Sequence, residues 1–469
     1  MSQNNWQKKF VIRDSTLTEL FGRIQDMRSA YNLISAIFTL IFATTLLHYV
    51  IDNNELYADL RWLNWCFSNN KFHLLAFAWL KMQMSAVLIL YPVLRIWLWI
   101  KANKKISSDI HTIILVLISL LYQSFLFIYG YKFVQKNSFS CVCRFALLIE
   151  QVRLSMKSHS FIIENRFRNI EYGKDKTSRE APTLSQLLYF LIAPTLLYRD
   201  NYARTSKIRW RFVFWYFFQV FLIIFAMFAI SWRFVEHYFK WTGVKPFETK
   251  QLIYIYLMAS LVGIQLKLLL FYGMLHCWLN GFAEMLRFGD RNFYNDWWNC
   301  TDFVTFYRKW NGVVHEWLRE YIFKPTLYLT SGNKGVSALT VFLVSAIIHE
   351  YILSVSFGFF LPVLFCSFFI IGVMLFFIGK IKFKVSQNKR SAKTDSPKHN
   401  SSVKQQQQET NDNSFSLGNM LMFMSLCLGW GLMLMLYSME SYSRINCPSN
   451  DTSLSSYLWP RFLSCVIIN

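Results

Sequence analysis

Nine stretches of this chain are apolar enough to make a water-filled surrounding costly: residues 33–51, 74–99, 109–132, 140–157, 212–232, 251–275, 336–356, 358–380 and 417–437. Several approach or exceed the roughly 20 residues with which an α-helix crosses a bilayer core. In lipid the backbone has no water to bond, so a single span closes its own hydrogen bonds as a helix. The pattern therefore predicts an all-α polytopic membrane protein with about nine transmembrane helices. Composition agrees, with 54% hydrophobic and only 16% charged residues among 469, low for a soluble enzyme of that length. The fourth run is the most interrupted, by Arg144, Glu150 and Arg153. Charges in such a run face a protein interior or the interface. Pro92 and Pro362 are expected to kink their helices without ending them.

The formal charge of +22 raises the question of nucleic acid. Its distribution answers it, because the basic residues collect between the apolar runs. Residues 152–211 carry twelve Lys/Arg against five Asp/Glu, and 380–404 carry eight against one. The short loop with Lys101, Lys104 and Lys105 is basic too, whereas 52–73 holds Asp52, Glu55 and Asp59 against Arg61 and Lys71. Positive loops stay on the cytosolic side, so nine crossings predict a cytosolic N-terminus and a luminal C-terminus. Residues 1–32 read as a polar cytosolic segment, 33–437 as the membrane domain and 438–469 as a luminal tail, with 33–51 a signal anchor and no cleaved leader. Within the membrane domain, 381–416 is polar and poor in aromatics and reads as a disordered cytosolic insertion. If the tail is luminal, Asn450 is the one plausible glycan acceptor, since Asn299 and Asn400 fall on the cytosolic side.

Nine cysteines include no pair of CxxC motifs, so no zinc site and no bound metal are expected. Cys447 and Cys465 both follow the last span. In an oxidising lumen they are either a disulfide or two free thiols.

Chemistry concentrates in two places. Residues 276–335 hold tryptophans at 278, 297, 298, 310 and 317 interleaved with Asp290, Asp296, Asn299, Asn311 and His315. A plain connection would carry more Gly and Pro, so this region reads as interfacial helices folded back on the membrane domain. His349 and Glu350 then lie deep in an apolar run, with His349 fourteen residues after Gly335, roughly 20 Å along a helix. Titratable residues at such depth mark sites or pathways. A neutral imidazole there suits general-base chemistry on an alcohol.

The stretch "FYNDWWN", 293–299, resembles the FYxDWWN motif of the membrane-bound O-acyltransferases, in the branch that contains sterol and diacylglycerol O-acyltransferases. "RKWNGVVHEW", 308–317, resembles that family's Trp-Asn segment, and "SAIIHEY", 345–351, the segment with its catalytic histidine. The likeness runs from about residue 10 to the end, except 381–416. "LHCWLNGFAEMLRFGDR" at 275–291, "APTLLYRD" at 193–200 and the eighteen-residue spacing of Cys447 and Cys465 are similar to the sterol enzymes and their luminal disulfide; "FKP" at 323–325 is closer to the diacylglycerol enzymes.

The resemblance implies an endoplasmic-reticulum enzyme moving a fatty acyl group from acyl-CoA to a sterol 3-hydroxyl, without a cofactor. His349 would be the base and Asn311 a donor to developing charge. Phe293, Tyr294, Asp296, Trp297, Trp298, Asn299, Trp310, His315 and Asp290 would line the acyl-CoA path. Membrane lipids and a second copy of the chain would be its partners. A diacylglycerol acceptor is the alternative, and a non-catalytic lipid-binding or transport protein a second one.

Overall fold

The apolar runs fold as helices. The computed structural model describes residues 8–53, 71–102, 108–166, 181–370, 373–374, 401–448 and 453–465. Six helices there are long and apolar enough to cross a membrane: Phe72–Ala102, Asp109–Lys136, Trp210–Phe239, Thr249–Met285, Lys334–Phe357 and Leu417–Asn446. Each contains one of the expected spans. The 33–51 run lies within helix Gln25–Asn53, and all of the 140–157 run but Ser140 within Cys141–Arg166. The latter carries Arg144, Glu150, Arg153, Lys157, Glu164 and Arg166, and is not among the six apolar spans. Of 358–380, only part is described, as short turns at Val363–Phe365 and Cys366–Ile370. Nine crossings are thus not reached among the described residues, which also hold no β-strand.

The two prolines behave differently. Pro92 sits just past a π-helical turn, Ala86–Leu90, and the helix continues through it. Proline lacks an N–H and crowds the carbonyl four residues back, and a widened turn absorbs both effects. Pro362 kinks no helix interior. The preceding helix ends at Phe357, and Gly358 follows with φ +80°, a left-handed conformation glycine adopts without strain. Pro362 then precedes the Val363–Phe365 turn.

Part of the expected disordered insertion is helical. Helix Ser401–Asn446 is continuous, so 401–416 extends the last span upstream, while 381–400 lies outside the described residues. No Gly or Pro interrupts 401–416, and its Gln, Glu and Lys residues are good helix formers.

The chain divides into two compact units. The first comprises Met1–Phe221, His276–Asn292 and Ile352–Gly358. Its buried charges are tied down. Lys157, 1% exposed, donates from Nζ to the Phe190, Leu191 and Ala193 carbonyls at the end of helix Leu184–Ile192, the last two at 2.9 and 2.7 Å. Those carbonyls have no intrahelical partner, and the cation supplies one. Glu284 is held by Arg209 at 2.8 Å and by Arg291 at 2.6 Å, with the Arg291 side chain only 3% exposed. Removing one member of a buried ion cluster strands the others' charge, a loss of about 3–5 kcal/mol. Glu284→Ala is therefore expected to lower the thermal-unfolding midpoint of the purified protein markedly, and Glu284→Asp to lower it less. Equal midpoints for Glu284→Ala and wild type would contradict this.

The second unit comprises Leu222–Leu275, Phe293–Tyr351 and Phe359–Asn469. Its frame is the contact between helix Thr249–Leu270 and helix Ser401–Asn446. They approach closely because Gly263 carries no side chain. A Cβ there would lie 3.0 Å from the Trp430 backbone, and membrane helices use such small residues to bring backbones together. Phe234, Phe239, Ile255, Ala259 and Met439 form an apolar cluster in the same unit.

Candidate active site

Residues 293–312 form a folded platform held by backbone bonds between the two sequence motifs. The Gly312 N–H donates to the Phe293 carbonyl at 2.8 Å, and the Asn295 N–H to that of Lys309 at 2.9 Å. Asn419 in the last span donates from its amide to the Trp298 and Cys300 carbonyls at 2.8 and 2.7 Å. FYNDWWN and RKWN therefore behave as one structural piece.

Within that piece the motif has an inward and an outward half. Phe293, Tyr294 and Trp297 are at most 5% exposed, and so sit in the core under the platform. Trp297 meets Trp310 edge-on at 4.9 Å and Phe271 at 5.0 Å, and Phe271 also meets Tyr294 at 4.8 Å and Trp310 at 5.0 Å. Tilted and edge-to-face ring pairs of this kind contribute about 0.5–1.5 kcal/mol each beyond burial. Asp296, Trp298 and Asn299 turn outward, with Asn299 exposed and the other two half-buried. Asp296 pairs with Lys309 at 3.0 Å and accepts from the Asn299 amide at 3.4 Å. Partial burial works against its charge, but Lys309 and Asn299 outweigh it and hold the carboxyl below the usual range.

Asn311 joins helix Phe303–Trp310 to helix Gly312–Leu318. Its Oδ1 accepts from the Val314 N–H at 3.1 Å, capping the second helix. The cap fixes the rotamer with the oxygen spent. The Nδ2 group makes no hydrogen bond among the described residues. Asn311 thus presents an amide donor already oriented by its own helix, which is what stabilising a developing oxyanion requires.

His315 lies one turn further on, half-buried. Burial, reinforced by Arg308 and Arg319, moves its pKa below the ordinary histidine value. The ring is therefore neutral at pH 7.

His349 is the sixteenth of 24 residues in helix Lys334–Phe357. Its Nδ1 lies 2.7 Å from the Ser345 backbone carbonyl. A carbonyl only accepts, so Nδ1 carries a proton, and in the neutral ring the basic lone pair is then on Nε2. The ring is exposed, whereas Glu350 beside it is 5% exposed. Glu350 accepts from the Phe365 N–H at 3.1 Å and lies against the Tyr437 hydroxyl. The His-Glu pair divides its work: Glu350 ties down the chain after the helix, and His349 faces outward from it.

Between the two motifs, Tyr307 meets the histidine helix, its ring packing edge-on against Phe342 at 6.0 Å. Phe342, Ser345 and His349 are spaced i, i+3, i+7 and share one face. Tyr307, four residues before Asn311, thus touches the face of that helix on which His349 also lies.

Asp290 belongs to the first unit. Its carboxylate, wholly buried, pairs with Arg13 at 2.6 Å and Lys8 at 3.5 Å. Cys447 and Cys465 are disulfide-bonded, with Cα atoms 6.4 Å apart. Among the described residues no group of three or more His, Cys, Asp or Glu is arranged to hold a metal. Sequence reading overlooked Lys267, Phe271, Phe306, Asn419 and Trp430, all of which support the platform. Lys267 did carry a signal, as the one charge within the 251–275 run.

The sequence of this multi-helical membrane protein matches an established family model. The model, membrane-bound O-acyltransferase, matches residues 61–391, and the chain belongs to that family. Its similarity to sterol O-acyltransferases extends over nearly the whole length. Sterol O-acyltransferase 1 of Mus musculus is 36% identical over 463 residues, covering 98% of this chain and 79% of the relative. Sterol O-acyltransferase 2 of Homo sapiens is 35% identical over 464 residues, covering 98% and 80%. The chain thus falls in the sterol O-acyltransferase branch of the family.

Proposed function

We propose that this protein transfers a long-chain acyl group from acyl-CoA to the 3-hydroxyl of a sterol, giving a steryl ester and free CoA. The observation that carries the chemistry is the Nδ1–H bond of His349 to the Ser345 carbonyl, which leaves the lone pair on Nε2. That nitrogen takes the hydroxyl proton as the sterol oxygen attacks the thioester carbon. The Asn311 amide donates to the oxygen that becomes negative in the tetrahedral intermediate. The intermediate collapses with loss of the C–S bond, and His349 returns its proton to the departing thiolate. No cysteine nucleophile and no acyl-enzyme enter this scheme, and acyl-CoA is a co-substrate, with no cofactor required.

The sterol acceptor is supported by the near-full-length similarity to sterol O-acyltransferases. Offering the purified protein labelled oleoyl-CoA with sterol and diacylglycerol in competition tests it. Label is expected in steryl ester in clear excess. Label mainly in triacylglycerol would favour the diacylglycerol reading.

By the same reasoning the protein resides in the endoplasmic-reticulum membrane, with a cytosolic N-terminus, a luminal C-terminus and self-association into a dimer or larger assembly. The outward half of FYNDWWN, with Trp310 and His315, lies at the acyl-CoA mouth, and Phe293, Tyr294 and Trp297 support it from beneath. The orientation carries a prediction. Peptide mapping of protein from native membranes without reductant should recover Cys447 and Cys465 linked. Two free thiols would contradict a luminal tail, since cytosolic thiols stay reduced.

A further inference from the structure

Lys267 is out of place by every ordinary rule. It lies within an apolar span, is 6% exposed, and makes no hydrogen bond or ion pair among the described residues. Instead three aromatic rings surround its ammonium. Nζ stands 4.7 Å from the Trp310 ring centroid, 4.8 Å from that of Phe306 and 5.1 Å from that of Trp430. A desolvated cation over such rings is attracted by their negative faces, and the attraction strengthens as water is excluded.

The rings come from different parts of the second unit. Phe306 and Trp310 are on the helix that ends at Asn311, and Trp430 is on the last span. Trp430 reaches the lysine because Gly263, one turn before Lys267, lets the Trp430 backbone come so close that a Cβ at 263 would lie only 3.0 Å from it. The cation therefore joins two membrane helices to the residue immediately preceding the capped amide. An apolar side chain of similar length would fill the space but exert no such pull on the rings.

We infer that Lys267 is a positioning residue for acyl transfer: its ammonium holds Trp310 and Phe306, and through them sets the Asn311 amide. This rests on the role assigned to Asn311 above. The lysine touches no reacting atom. Its effect is on how well the amide is oriented when charge develops, which appears in kcat and leaves acyl-CoA binding largely intact.

The test is a double-mutant cycle on the full-length protein, with kcat and apparent KM for oleoyl-CoA measured at saturating sterol. Lys267→Met is expected to lower kcat on the order of ten-fold with KM within about two-fold, the scale of a lost cation–π clamp. Lys267→Arg, which keeps the charge and the stacking, is expected to recover most of that loss. In an Asn311→Ala background Lys267→Met should cost little more, because the group it positions is gone. Should Lys267→Met fail to purify, Trp430→Leu removes one ring and leaves the lysine, and the same non-additivity is expected. A ten-fold loss that persists undiminished in the Asn311→Ala background, or no rescue by Arg, overturns the inference. Failure of the Asn311 assignment is a different outcome: Asn311→Ala alone would then turn over near the wild-type rate, and both readings fall.

Discussion

His349→Ala is expected to remove acyl transfer, by at least about 10²–10⁴-fold, the usual contribution of a positioned base. Expression and membrane insertion should survive. The ring is exposed and its Nδ1 bonds to Ser345 of its own helix, so truncation leaves no buried charge and no large cavity. The Ser345 carbonyl loses a bond that any helix supplies in part through its own i+4 N–H. A purified alanine variant with folded spectra and near-wild-type turnover would show that His349 is not the base. Glu350 supplies the contrast. Buried and bonded to the Phe365 N–H, it should affect stability before it affects chemistry.

Asn311→Ala carries the second large effect, a fall in kcat of about 10²–10³, or roughly 3–4 kcal/mol, for one oxyanion-type donor. Apparent acyl-CoA affinity should change little, since a donor used mainly as charge develops contributes to the transition state. Loss of the cap to Val314 adds about 1 kcal/mol of destabilisation. Asn311→Asp separates the two contributions. It keeps an oxygen for the cap but replaces the donor with an acceptor, so stability should hold while turnover falls. His315→Ala, one turn away, is expected to cost less than Asn311→Ala. A mild Asn311 defect beside a severe His315 defect would reverse the assignment.

The broad outline was legible in the sequence because bilayer physics leaves few choices. Long apolar runs become helices, and a long aromatic motif in the expected order leaves little ambiguity about family. What one-dimensional pattern does not carry is the direction each side chain takes. Within FYNDWWN, composition makes every aromatic look alike, yet Phe293, Tyr294 and Trp297 are buried while Trp298 turns outward. Asp290 sits three residues before the motif and is engaged with Arg13, 277 residues away in sequence. Only tertiary structure brings those two together.

The helix upstream of the last span shows a different limit of composition. Residues 401–416 look disordered by composition, because nothing in them builds a core. A helix needs no core of its own once a stable span nucleates it, and elongation is then the easy step. Lys267 was visible as a charge in an apolar run but silent about its partners. Its three rings come from positions 306, 310 and 430.

The most direct measurement is a single turnover of wild type and His349→Ala, with labelled oleoyl-CoA bound and sterol then added. The wild-type enzyme is expected to pass the label from thioester to steryl ester, with none on the protein at any time. The alanine variant should bind oleoyl-CoA yet keep the label in the thioester. Label trapped covalently on the protein, or steryl ester formed by the variant at the wild-type rate, would contradict direct attack by a sterol hydroxyl that His349 activates.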